Sequence, residues 1–257
     1  MDYLSKLQPH IRDNVSLDEA THIYDINDDY SYTSVTTWNH THFEQFNDDL
    51  IISNMMNSKK WSQSKYYGMT SDDIKALWNK NCIEASTAGT KMHYDIECFY
   101  NNCPNENSSI EYVYFTNFIK DYGYLKPYRT EWIVYHEELK LAGSIDMLFE
   151  NSDGSLDIYD WKRSKGIIKT SSFNKWSTTP CISHLPDTNY WHYSLQLNVY
   201  KAIIEQKYEK KVRDLYLVCL HPNNKNANYQ RIKVADLSNE INDLFELRRA
   251  EVLFKQV

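Results

Sequence analysis

Two short segments set acids inside otherwise apolar runs: Gly143-Ser144-Ile145-Asp146-Met147-Leu148-Phe149 and Leu156-Asp157-Ile158-Tyr159-Asp160-Trp161-Lys162. Residues two apart on a strand share a face, so Asp160 and Lys162 point the same way and place a carboxylate beside an ammonium. If the two segments are neighbouring strands, Asp146 reaches the same spot. Two carboxylates converging on one point suit a hard divalent cation with oxygen ligands, Mg²⁺ or Mn²⁺. The lysine would then orient or deprotonate an activated water, or stabilise charge on a pentacovalent phosphorus. A D-x-K tripeptide alone more often marks an ordinary ion pair on a strand edge, worth little. Its weight here comes from what surrounds it.

Two helical patterns flank the acids. In Gly89-Thr90-Lys91-Met92-His93-Tyr94-Asp95-Ile96-Glu97, His93 and Glu97 are four apart and share a helical face, while Met92, Ile96 and Phe99 can line the buried side. A neutral imidazole nitrogen would complete a site otherwise made of carboxylates, although a lone helical histidine is more often a surface or satisfied core residue. In Gln196-Leu197-Asn198-Val199-Tyr200 the glutamine and tyrosine again share a face, from which they could donate to phosphate oxygens or order the lysine and a water. The competing reading is a plain amphipathic helix with Leu195, Val199, Ile203 and Ile204 inward.

Elements able to position these groups can be read from periodicity. A β-like run at Ile23–Ile26 precedes Ser34-Val35-Thr36-Thr37-Trp38, where Ser34, Thr36 and Thr37 are candidate N-caps of a helix around Phe43 and Phe46. Ser71-Asp72-Asp73 opens another helix through Ile74, Leu77 and Trp78, and a third spans about Glu84 to Tyr100. From Arg129 the period becomes two: Glu131–Tyr135, Leu139–Phe149 and Leu156–Trp161 read as consecutive strands, with Asn151-Ser152-Asp153-Gly154 as a hairpin turn. Tyr190–Tyr208 reads as a helix, Val212–Leu220 as a buried strand, and Ser238–Phe254 as a closing helix. That order predicts an α/β protein with a mixed central sheet and helices on both sides.

Taken in order, His93 in G-T-x-x-H, Asp146 in G-x-x-D, Asp160 and Lys162 in D-x-K, and Gln196 and Tyr200 in Q-x-x-x-Y give a pattern that resembles the RecB-like nucleases of the PD-(D/E)xK superfamily, over roughly residues 84 to 205. Ser34-Val35-Thr36 ahead of a Phe-containing helix is similar to the beginning of the mitochondrial genome maintenance exonuclease and its viral relatives. The resemblance implies a restriction-endonuclease-like core in residues 81–257, and a helical arm with a short strand, packed on that core, in residues 1–80. It implies His93, Asp146, Asp160 and the backbone carbonyl of Trp161 as metal ligands, Lys162 as catalytic lysine, and Gln196 and Tyr200 as catalytic partners. Ser34, Thr36, Arg163 and Lys165 would touch substrate, and Glu131 is a further acid near the site. The Pro-Asp of the superfamily name is Ile145-Asp146 here. Some RecB-like nucleases carry an iron–sulfur cluster on a close downstream cysteine triplet; beyond Lys162 this chain has only Cys181 and Cys219, so none is expected.

Composition bounds the setting. A chain of 257 residues with 42% hydrophobic and 25% charged residues can bury a full core, and 6 Gly with 6 Pro exclude collagen-like and Pro/Gly-rich disordered classes. The net charge of -7 argues against holding nucleic acid by bulk positive charge, so DNA would have to meet local basic surface. Candidates are Lys162, Arg163, Lys165 and Lys169 leaving the acidic strand, Lys207, Lys210, Lys211 and Arg213 after the Gln/Tyr helix, and Lys59, Lys60 and Lys65 interleaved with Trp61, Tyr66 and Tyr67. Aromatics among lysines suit stacking on unpaired bases, although they also fit solvated helix faces over a partial core. No signal peptide or membrane span is legible, and five cysteines without a CxxC pair read as reduced thiols, favouring an intracellular location. The expected activity is Mg²⁺- or Mn²⁺-dependent hydrolysis of DNA, chiefly as an exonuclease on single-stranded or flapped ends. The alternatives are a structure-specific endonuclease of the same fold and a non-catalytic DNA-binding module.

Overall fold

A computed structural model of the chain describes residues 1–18, 21, 23–103, 106–171 and 174–255. Helix α1 (Tyr3–Leu7) is followed by the hairpin β1 (Val15–Asp18) and β2 (Ile23–Ile26), then by β3 (Thr33–Ser34), α2 (Val35–His40), α3 (Asp48–Met56), α4 (Ser71–Tyr100) and α5 (Ile110–Tyr122). The sheet-forming stretch is β4 (Lys126–His136), β5 (Leu141–Glu150) and β6 (Leu156–Lys162); α6 (Asn189–Lys207), β7 (Val212–Cys219), β8 (Gln230–Lys233) and α7 (Ser238–Lys255) complete the chain. The architecture is mixed α/β. Strands β4, β5 and β6 are antiparallel neighbours, β6 and β7 run parallel, and β8 closes the edge antiparallel to β7.

The sequence anticipates the meander because its alternation is enforced by two separate cores. On β6, Leu156 and Ile158 belong to a core shared with α2, α6 and α7, whereas Tyr159 and Trp161 belong to one shared with α4 and α5. Helices therefore cover both faces of the sheet. Gly154 makes the expected turn at φ +80°, in the left-handed region where glycine is unstrained.

Two local expectations fail, and one helix was not expected. The helix expected around Phe43 and Phe46 ends at His40, and the next begins at Asp48, where the Asn47 side chain accepts from the Leu50 N–H and fixes a new N-terminus. The two helices expected before Tyr100 are one 30-residue helix, α4, which runs through residues 80 and 81. It begins at a Thr70/Asp73 capping box, and its middle, 79–87, is wholly exposed, so no apolar stripe marked the continuity. Helix α5 was not legible at all: Ile-Glu-Tyr-Val-Tyr-Phe is β-like in composition, and packing of Tyr114, Phe115 and Phe118 into the core overrides it.

The position of the site follows from one feature of β5. Its whole length pairs with β4 on one edge, so β3 and β6 must share the other: β3 pairs with Leu141 and Ala142, and β6 with Met147 to Glu150. Between them, Gly143 to Asp146 lack a strand neighbour on that edge, and the sheet opens.

Candidate active site

The opening collects the predicted residues from four elements. Where the β5–β6 ladder stops at Met147↔Tyr159, the Asp146 carboxylate replaces the missing strand, with Oδ2 accepting from the Trp161 N–H at 2.8 Å. The next residue, Lys162, turns its carbonyl towards Leu220 of the β7 side, so alternation aims both the N–H and the C=O of Trp161 at the opening. From α4, His93 brings Nδ1 to 3.4 Å from Asp146 Oδ2 and 3.9 Å from Glu131 Oε1. One ligand atom each from His93, Glu131 and Asp146 lie within 4.8 Å of one another. Glu131 thus belongs to the cluster. It sits opposite Asp146 at φ +42°, a strained conformation for a non-glycine residue, and its Oε2 accepts from Ser144 Oγ at 2.9 Å.

Asp160 and Lys162 share a face as expected and form an ion pair. Lys162 Nζ donates to Asp160 Oδ1 at 2.9 Å and lies 2.8 Å from Oδ2. That Oδ2 is buried and makes no directional hydrogen bond. The ammonium also sits 4.6 Å from the centroid of the Tyr193 ring, a neighbour on α6 that the motifs did not single out. Its signal was available: Tyr193 precedes Gln196 by three and Tyr200 by seven, one helical face.

On that face the Gln196 amide donates to Tyr200 Oη at 3.1 Å and to Thr36 Oγ1 at 3.1 Å, tying α6 to the first turn of α2. Ser34 caps α2, its Oγ accepting from the Thr37 N–H at 3.0 Å. Gly143 now has a physical reason: a Cβ there would lie 2.6 Å from Tyr200 Cε1, so the glycine of G-x-x-D makes room for the tyrosine of Q-x-x-x-Y. Arg163 is held by Glu111 of α5 at 2.7 Å, while Lys165 is exposed.

The basic segments do not all gather here. Helix α6 runs away from Tyr193 and Gln196, and beyond it Lys211 and Arg213 meet the start of β6 near Leu156, six residues or roughly 20 Å along the strand from Lys162. There Arg213 pairs with Asp157, while Lys207 pairs with Glu138 at the β4–β5 turn. Lys59, Lys60 and Lys65 are exposed. Their aromatics form a small cluster with α4, in which Trp78 Nε1 donates to Tyr66 Oη at 2.9 Å and Trp61 meets Tyr67 edge-on.

The electrostatics suit a cation. Burial pushes Asp160 up, Lys162 pulls it back and nearby Asp146 adds to the rise, leaving it at about 6. Asp146 is likewise raised, by burial first, against the attraction of His93. Burial disfavours imidazolium, yet Asp146 and Glu131 outweigh it and lift His93 to about 9. Lys162 also titrates above an ordinary lysine: burial opposes its charge, but Asp160 and Asp146 hold its proton. Crowded carboxylates with raised proton affinity beside an imidazole nitrogen are a donor set that a hard divalent ion would satisfy.

No protein-family model matches the chain, and no curated protein matches it. Among solved structures, an alkaline exonuclease from Laribacter hongkongensis is similar at 12% identity with a TM-score of 0.33, the match covering 65% of this chain and 78% of that one. Among the described residues, no helix is long and apolar enough to cross a membrane.

Proposed function

We propose that the protein is a metal-dependent DNA nuclease that acts as an exonuclease on single-stranded or flapped ends in recombination, repair or replication. The observation that carries this reading is the convergence of His93, Glu131 and Asp146 beside the Asp160–Lys162 pair where the central sheet opens between β3 and β6. The motif resemblance to RecB-like nucleases supplies the substrate class. His93 Nδ1, Asp146 and Glu131 would hold Mg²⁺ or Mn²⁺, with Asp160 and the Trp161 carbonyl at its border. When bound, the ion would supply Lewis-acid polarisation of the phosphate and lower the pKa of the attacking water.

The chain's own groups do the rest. Lys162 keeps its proton between two carboxylates, so it serves as a donor to the phosphate oxygens as charge develops there. Tyr193 and Asp160 fix its ammonium from two sides. Gln196, held by Tyr200 and Thr36, presents its remaining amide oxygen to orient water for in-line attack, which leaves a 5′-phosphate and a 3′-hydroxyl. Thr36, Arg163 and Lys165 position the strand.

End-labelled linear single strands, linear duplex and closed circles, each with Mg²⁺ or Mn²⁺, test the reading, with Asp160→Ala and Lys162→Ala as controls. Loss of linear DNA by wild type alone is expected. Cleaved circles would make the enzyme an endonuclease. Wild type as inert as both variants with either metal would leave DNA binding without catalysis.

A further inference from the structure

Four asparagines are buried among the described residues, and three have their amides fully engaged. Asn101 accepts from the Leu4 N–H and donates to Glu97 O and Thr130 Oγ1. Asn198 donates to Ser194 O and Ala235 O and accepts from the Leu237 N–H. Asn224 donates to Cys219 O and Asn228 O, with Cys219 Sγ at its oxygen. Asn39 is the exception: it is 2% exposed, and neither its Nδ2 nor its Oδ1 has a hydrogen-bond partner. A buried amide left wholly unpaired is costly and calls for a reason.

Asn39 borders a cavity of about 290 Å³ whose other walls include Thr36, Lys162, His192, Tyr193 and Gln196. We propose that this cavity is a nucleobase subsite, in which Asn39 reads the hydrogen-bonding edge of the base whose phosphate lies at Lys162. A side-chain amide offers a donor and an acceptor in one plane, the complement of the adenine N6/N7 edge. Both amide atoms are shut off from solvent as they stand, so reading a base requires the amide to turn into the cavity about its soft terminal torsion. Tyr193 and His192 place two rings in the wall, where His192 is held by stacking on Phe43 at 3.9 Å and Lys162 lies 4.6 Å from the Tyr193 ring centre. Lys162 at the wall supplies the charge that a phosphate seeks. The volume is at the small end of ligand cavities, roughly 300–1,000 Å³, and suits one base better than a pair.

The inference deepens the nuclease reading and rests on it for the phosphate, but base recognition can be measured apart from cleavage. Deoxyadenosine 5′-monophosphate is titrated without metal, by NMR, against wild type and Asn39→Leu, with deoxyribose 5-phosphate as the base-free control. Wild type should prefer the nucleotide to the control, and Asn39→Leu should lose that preference by about ten-fold. The variant should melt at the same or a higher temperature, because an apolar isostere removes the unpaired amide. Asn39→Ala repeats the comparison if the leucine variant does not fold. Equal nucleotide binding by wild type and variant, or no preference over the control in wild type, overturns the subsite. Asn39-dependent binding in a protein that cleaves no DNA would sink the nuclease reading and keep the subsite; cleavage with equal binding would do the reverse.

Discussion

Strand β6 buries two aspartates three residues apart, Asp157 at 1% exposure and Asp160 at 3%, and treats them oppositely. Near the hairpin, Asp157 accepts from Asn151 Nδ2 at 3.0 Å and from Arg213 Nε and Nη2 at 3.2 and 2.7 Å. Both its oxygens are engaged, and one guanidinium forks across them. At the sheet opening, Asp160 has one ion-pair partner, Lys162, a point charge lying 2.9 Å from Oδ1 and 2.8 Å from Oδ2. The first carboxylate is built to hold β6 to β7; the second is left electrostatically incomplete, which is the condition for binding something else.

Substituting each acid should separate the roles. Asp160→Asn and Lys162→Ala should lower nuclease activity by at least about 10²–10³-fold, the cost of removing one group that meets developing charge. The metal-free Asp160→Asn protein should be as stable as wild type or more so at neutral pH, since burial and Asp146 disfavour the Asp160 charge more than Lys162 favours it. Asp157→Asn should do the opposite. Arg213 is half exposed, so losing the charge-assisted bonds to it costs about 1–3 kcal/mol, and at roughly 2–4 °C per kcal/mol for a chain of this size the fall in Tm is readable by calorimetry. Activity per folded molecule should be kept. An Asp160→Asn variant that melts well below wild type would erase the contrast.

Gly143→Ala gives a smaller effect that crosses the two categories. Overpacking by one methyl against the Tyr200 ring should cost about 1–3 kcal/mol and reduce activity, because the ring that moves carries the Gln196 contact. In a double-mutant cycle with Tyr200→Ala, the penalty for adding the methyl should largely vanish. Additive losses would mean that the close approach is incidental.

The contrast also explains what could be read from the sequence. Strand alternation, the Asn151–Gly154 turn and the D-x-K pair are local, so β4, β5, β6 and the Asp160–Lys162 contact were legible. Glu131 was expected near the site from the resemblance alone; its place there is set by register and an unusual φ, neither of which leaves a composition signal. Asp157 carried no motif, and its role is set by β7, which brings Arg213 to it from 56 residues away. Asn39 carried no motif, and its interest arises from an unpaired buried amide beside a cavity. The position of Lys207 to Arg213 depended on the direction of α6, which periodicity does not give.

The least intrusive probe is pH. In the metal-free protein the folded Asp160 carboxyl titrates at about 6, above its ordinary 3.8, so between those values the folded state binds more protons than the unfolded one. Stability should therefore fall as pH rises from about 4 through about 6. Burial lowers His42 to about 4, so its contribution runs the other way: it destabilises the fold as pH falls below about 6.5. For that reason the quantity to measure is the difference between wild type and Asp160→Asn, in which His42 cancels. That difference should shift in favour of the variant across the window, by about 1–2 kcal/mol after allowance for the Lys162 pairing. Saturating Mg²⁺ or Mn²⁺ should remove the shift in wild type, because a cation takes the place of the proton. Subtracting Asp157→Asn in the same way should leave no Mg²⁺-dependent change, and a change of equal size there would mean that the two acids of β6 do not differ in the way their hydrogen bonds indicate.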